Sequence, residues 1–220
     1  MAFLPESAST FGPKIDRLFL VVLWITGFFF FLVQGGLLLF TLKYRTRPGQ
    51  QASYIHGNTL LEIIWTLIPA LILLGLTLAS QKLWAEIRYP QQMPPNASQV
   101  EIQAEQFAWN VRYPGPDGQF ETDDDVTTLN QLHLPVGQPV KVRLRSKDVI
   151  HSFFVPEFRV KQDAVPGMET SVWIQPTRAG QFEILCAELC GLGHYRMRGF
   201  VTTESAETFQ PWLSETKANE

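Results

Sequence analysis

Twelve residues, Cys186-Ala-Glu-Leu-Cys190-Gly-Leu-Gly-His194-Tyr-Arg-Met197, carry two thiols, an imidazole and a thioether. Thiolates and thioethers are soft metal ligands, and imidazole serves copper as well as zinc. A disulfide between Cys186 and Cys190 is the simplest alternative, and an oxidising outer compartment would favour it. That reading gives His194, Met197 and the two glycines, Gly191 and Gly193, nothing to do. A structural zinc site takes Cys and His, usually as two pairs, so the thioether points to copper. A single blue-copper ion takes one Cys, two His and a weak axial Met. Two Cys in one loop instead fit a pair of thiolates bridging two copper ions, each completed by one His and one weak ligand. That arrangement needs a second His. His56 falls in a segment expected on the other side of a membrane. His133 lies in Leu132-His133-Leu134 and reads as a strand residue. His151 lies in Asp148-Val-Ile-His151-Ser-Phe-Phe154 and is preferred, because its apolar flanks suit a dry redox site.

Short strands are expected to hold these groups. Val100-Glu-Ile-Gln-Ala, Val140-Lys-Val-Arg-Leu-Arg and Ser171-Val-Trp-Ile-Gln alternate with period two, and Gly-Gln at 137–138 and Ala-Gly at 179–180 punctuate them. That pattern predicts an all-β sandwich or barrel, here over residues 99–204. A Pro-rich linker is expected over 85–98, with its polar Pro-containing stretch at 91–98, and a polar tail over 205–220, helical around 209–213. Asp123-Asp124-Asp125 reads as a solvated acidic loop rather than a cation site. From residue 89 onward there are 11 Lys/Arg against 17 Asp/Glu, so this part should attract a basic partner. The chain has no long Lys/Arg run, which excludes a basic nucleic-acid binder.

The preceding part is of another kind. Leu18–Leu42 is 25 residues without a charge and Ile63–Gln81 is 19 more. A bilayer core needs about 20 apolar residues as a helix, so two spans are expected, over 18–42 and 60–84. Only two such runs exist, which excludes a many-span transporter. The first run is too long for a signal peptide's apolar region and is followed by Lys43-Tyr-Arg45-Thr-Arg47, a stop-transfer flank. The loop 43–59 carries three positive charges and no acidic residue, whereas residues 1–17 sum to zero. The positive loop stays cytoplasmic, so the N-terminal segment and everything after residue 84 lie outside. Outside is the periplasm of a bacterium, the placement preferred here, or the intermembrane space of a mitochondrion. Glu62 sits at the inner edge of the second span. It reads either as a carboxylate reaching headgroup water or as part of a proton path.

The hairpin with Glu62-Ile-Ile-Trp-Thr-Leu-Ile-Pro-Ala70, then Asp148-Val-Ile-His-Ser-Phe153, Asp163-Ala-Val-Pro-Gly167 and the Cys186–Met197 loop together resemble subunit II of a haem–copper cytochrome c oxidase. The resemblance covers roughly residues 15–205. It implies a cupredoxin-like Greek-key β-barrel on a two-helix transmembrane hairpin. It implies a dinuclear copper centre, CuA, with bridging Cys186 and Cys190, imidazoles from His151 and His194, and weak ligation by Met197 and the Glu188 carbonyl. It further implies that the Glu188 side chain reaches a magnesium ion at the subunit I interface, and that Glu62 lies at the mouth of a proton pathway. Electrons would come from cytochrome c and pass to haem in subunit I, where oxygen is reduced to water and protons are translocated. One motif departs: where the family has a Trp-Tyr-Trp cluster for electron entry, this chain reads Phe107-Ala108-Trp109. That substitution suggests a membrane-tethered cytochrome as donor. The rival reading is a membrane-anchored copper chaperone or thiol oxidoreductase. A thioredoxin-like frame for it would place the Cys pair early, whereas here the pair comes late in an all-β region. A copper-free quinol-oxidase counterpart would lack the ligands.

Overall fold

The computed structural model describes residues 4–89 and 93–218. Two units emerge: Lys14–Trp84 form one, and the described residues up to Pro13 together with those from Ala85 onward form the other. In the first lie most of α1 (Gly12–Lys43) and of α2 (Thr59–Arg88). At 1.5 Å per residue, each is about 45–48 Å long, more than the hydrocarbon thickness. No residue in the apolar window of either helix is buried, as expected of helices whose solvent is lipid or other helices. Asn58 caps α2, its side-chain oxygen accepting from the Leu61 amide at 3.1 Å. Glu62 follows in the first turn, where a negative charge complements the helix dipole. Pro69 lies inside α2 without ending it.

The second unit is a two-sheet β-domain with mixed pairing. One sheet has the order β3-β2-β1-β5-β8 and the other β4-β10-β9-β6-β7. The strands are β1 (Ser98–Glu105), β2 (Ala108–Tyr113), β3 (Val126–Leu129), β4 (Gln131–Pro135), β5 (Val140–Ser146), β6 (His151–Val155), β7 (Val160–Ala164), β8 (Thr170–Ile174), β9 (Gly180–Cys186) and β10 (Arg198–Glu204). The pairs β1–β5 and β4–β10 are parallel; the others are antiparallel. Alternation does what the sequence pattern predicts. Val140, Val142 and Leu144 turn inward from β5, and Val100, Ile102 and Ala104 from β1. They meet Leu132, Leu134, Phe153, Val155, Ile184 and Val201 of the facing sheet in one core.

The chain changes sheet between β3 and β4 at Asn130, which takes a left-handed φ of 59°. Asn tolerates that region better than most residues. Its side-chain oxygen accepts from the Trp109 amide at 2.8 Å, and its own amide donates to the Trp109 carbonyl at 2.8 Å. Trp109 is thereby pinned beside His151.

Three features differ from the sequence expectation. Residues 85–88 of the expected linker continue α2, because Ala85-Glu-Ile-Arg88 favours helix and Arg88 donates to the Lys161 carbonyl at 2.8 Å and to the Gln162 side chain. Linker positions 90–92 lie outside the described residues. The tail forms a longer helix, α3 (Ala206–Ala218), despite Pro211 within it. Phe209 is buried, and Trp212 stacks on His133 with centroids 3.7 Å apart. The N-terminal segment joins the β-domain: Ala8 and Phe11 are buried, Ser9 bridges Pro176, and Phe11 packs edge-on to Trp173.

Candidate metal centre

β9 ends at Cys186, β10 begins at Arg198, and the intervening loop folds back on itself. The Cys186 amide donates to the Met197 carbonyl at 3.3 Å, closing the neck of the loop. A single 3₁₀ turn, His194–Arg196, is fastened by the His194 amide on the Gly191 carbonyl and the Met197 amide on the His194 carbonyl. Gly191 has φ +127°, a region that side chains rarely adopt. Gly193 is required for another reason: a Cβ there would lie 2.4 Å from the Phe107 ring. The adjacent strand delivers the last group, since β6 pairs with β9 (Phe153 opposite Cys186) and opens with His151. The Ala187 amide on the Ser152 carbonyl, 3.0 Å, fastens the loop to that strand.

These contacts bring six predicted residues together. The Cys186 and Cys190 sulfurs are 3.8 Å apart, far beyond the ~2.05 Å of a disulfide, and both cysteines are free. His151 Nδ1 lies 3.9 Å from Cys186 Sγ, and His194 Nδ1 3.6 Å from Cys190 Sγ. Met197 Sδ lies 3.6 Å from Cys190 Sγ, and the Glu188 carbonyl 3.2 Å from Cys186 Sγ. The ligand atoms of His151, Cys186 and Cys190 fall within 4.8 Å of one another. Burial and the neighbouring Cys186 thiol push the Cys190 thiol up, so without a cation Cys190 stays protonated at neutral pH. Thiolates at this spacing need positive charge between them. The donor set, two sulfurs flanked symmetrically by two ring nitrogens and two weak donors, fits two soft cations better than one tetrahedral zinc.

Family models for cytochrome c oxidase subunit II match here, the transmembrane domain over residues 1–83 and the periplasmic domain over 104–203. An alternative cytochrome c oxidase subunit 2 of Bradyrhizobium diazoefficiens is 38% identical over 92% of this chain and 80% of its own length. This chain belongs to the cytochrome c oxidase subunit II family. Cytochrome c oxidase subunit 2 of Thermostichus vulcanus is 31% identical over 98% of this chain and 79% of that protein. Among solved structures, the periplasmic domain of subunit II of Bradyrhizobium japonicum cytochrome oxidase superposes with a TM-score of 0.51 at 28% identity, over 58% of this chain and 98% of that one. The β-domain is therefore cupredoxin-like, carried on membrane-anchoring helices, and the chain is subunit II of a cytochrome c oxidase, whose oxygen chemistry resides in subunit I.

The remaining sequence candidates sit at different depths in this subunit. His133 is apart from the cluster, paired through Nδ1 with Glu204 at 2.7 Å. The Glu188 side chain is exposed while its carbonyl faces Cys186. Phe107 is half-buried, its ring seated against Gly191 and Gly193. Trp109 is completely buried, edge-on to His151 at 6.3 Å and to Phe153 at 6.0 Å. It contacts the site from below and offers no surface to an incoming protein. Leu189, Leu192 and Tyr195 of the ligand loop are instead 77%, 97% and 86% exposed. Asp148 and Gln106 went unassigned in the sequence. Both touch the site, and the one cue was the position of Asp148 three residues before His151.

Proposed function

We propose that Cys186, Cys190, His151, His194, Met197 and the Glu188 carbonyl hold a dinuclear copper centre that takes electrons from a cytochrome c and hands them to haem in subunit I. The observation that carries this reading is the near-symmetric pairing of one imidazole nitrogen with each of two unbonded sulfurs, 3.9 and 3.6 Å. When bound, the copper pair supplies one-electron chemistry with the charge spread over two nuclei.

The chain's own residues do the rest. Cys186 and Cys190 would give up their protons and hold the cations as thiolates. His151, Cys190 and Met197 are 0%, 3% and 2% exposed, so water is excluded from one side of the site, and little reorganisation accompanies a change of charge. His194 and the exposed Leu189, Leu192 and Tyr195 form the wet side, through which a partner reaches the site. The acidic β-domain attracts a basic cytochrome. Phe107 in place of an indole favours a membrane-tethered donor over a freely diffusing one. In this reading the Glu188 carboxylate takes a magnesium ion where subunit I meets the β-domain, and Glu62 opens a proton path at the cytoplasmic side. The assembly resides in a bacterial inner membrane with the β-domain in the periplasm.

The assembled oxidase should hold two coppers on this chain, with the paramagnetic hyperfine pattern of one electron on two nuclei. Cys186→Ser and Cys190→Ser should each abolish that pattern. A single labile Cu(I) per chain, or full copper and an unchanged spectrum in both variants, refutes the reading. The first of those results would point to a copper chaperone.

A further inference from the structure

The turn between β1 and β2 reaches the metal-ligand residues by two arms. The Gln106 amide donates to Asp148 Oδ2 at 2.7 Å. The other oxygen of that carboxylate, Oδ1, lies 2.8 Å from His151 Nε2 and also accepts from the Val149 amide at 2.6 Å. The second arm is the Gln106 side chain, whose Nε2 donates to the Cys190 carbonyl. An ionised carboxylate only accepts hydrogen bonds. The contact therefore fixes the His151 proton on Nε2 and leaves the Nδ1 lone pair turned toward Cys186, 3.9 Å away. His151 is wholly buried, whereas the Asp148 side chain is 31% exposed. The charge thus stays partly solvated while the ring it steers is dry.

We propose that Asp148, anchored by Gln106, is a positioning residue for the metal centre: it fixes the tautomer and orientation of His151 and supplies a negative charge behind the imidazole. The inference rests on the copper reading above. A carboxylate behind a ligating imidazole raises its basicity, which favours the more highly charged metal state and lowers the reduction potential. The Gln106 arm meanwhile holds the Cys190 turn against the same strand pair, so one turn registers a ligand in each half of the site.

The test uses the complete oxidase with Asp148→Ala and Asp148→Asn, measuring copper affinity by chelator competition, reduction potential and the paramagnetic hyperfine pattern. Asp148→Ala should lower copper affinity about 10–100-fold and raise the potential. Asp148→Asn keeps an acceptor for the Nε2 proton, so it should recover most of that affinity while its potential remains above wild type. An Ala variant within about threefold of wild-type affinity, where loss of such a partner ordinarily costs tenfold or more, overturns the proposal, as does a wild-type potential in the Asn variant. Should the Ala variant fail to assemble, the Asn potential decides alone. Wild-type oxidase without copper on this chain refutes the metal reading itself, a result distinct from an Asp148 that does not matter.

Discussion

Gly193→Ala probes the fit between the ligand loop and the β1–β2 turn. The added methyl would lie 2.4 Å from Phe107 Cδ2 and 2.6 Å from Cε2 and Cγ. Backbone conformation is no obstacle, since φ is −89°, so the whole cost comes from the ring. Overpacking of this kind costs about 1–3 kcal/mol. Phe107→Ala alone removes a half-buried ring and should cost less than the 3–5 kcal/mol or so of a fully buried one. In the double variant the methyl occupies space the ring vacated. Its stability should therefore match that of Phe107→Ala, a coupling of about 1–3 kcal/mol. Gly191→Ala is the contrast: φ +127° strains any side chain there, and Phe107→Ala should not rescue it. Thermal unfolding of the metal-free chain in detergent reads these differences as about 2–4 °C per kcal/mol for a domain of this size. If Gly193→Ala and Phe107→Ala prove additive within about 0.5 kcal/mol, the ring is not what demands a glycine at 193.

Two further predictions concern the β-domain away from the metal. The Arg143 hydrogen bond, opposed by partial burial and reinforced by Arg145, holds the Glu169 carboxyl down from 4.5 to about 2. A lowered folded-state pKa means that this stabilisation is complete above the ordinary value and is lost as pH falls from about 4.5 toward 2. Wild type should lose more thermal stability across that window than Glu169→Gln, and added salt should shrink the difference, because the pair is solvent-facing. The buried Tyr113 hydroxyl donates to the His133 carbonyl at 3.2 Å and accepts from its amide at 2.6 Å. Tyr113→Phe should cost about 1–3 kcal/mol in chemical denaturation by leaving that amide without its partner. Burial raises the Tyr113 pKa; its contribution is present below pH 10 and fades above, so the Phe variant should lack this part of the alkaline loss.

The site was legible where chemistry is local. Four ligand side chains of three types within twelve residues point to a metal, and the missing imidazole could be chosen by its apolar neighbours, because β6, which opens with His151, is itself a core strand. The spans were legible because absence of charge over 19 and 25 residues has few other meanings. What escaped depends on side chains that meet only after folding. Asp148 looks like any turn residue until the β1–β2 turn arrives with an amide for its second oxygen. Trp109 reads as a surface aromatic until Asn130 turns the chain from one sheet to the other and buries it. The polar tail suggested helix only around 209–213, and docking of Phe209 and Trp212 on Tyr113 and His133 shows why a longer one persists.

Ala8 and Phe11 precede both helices, yet they complete a hydrophobic surface made by residues more than 140 positions later, among them Glu157, whose carbonyl receives the Ala8 amide. During synthesis those apolar side chains must wait, uncovered, until nearly the whole polypeptide has emerged. For anyone excising a water-soluble fragment the lesson is practical. A cut placed after the second helix discards a plug, and Trp173 loses the aromatic edge that covers it. Joining residues 5–11 back onto the excised piece through a flexible tether should restore what the cut removes.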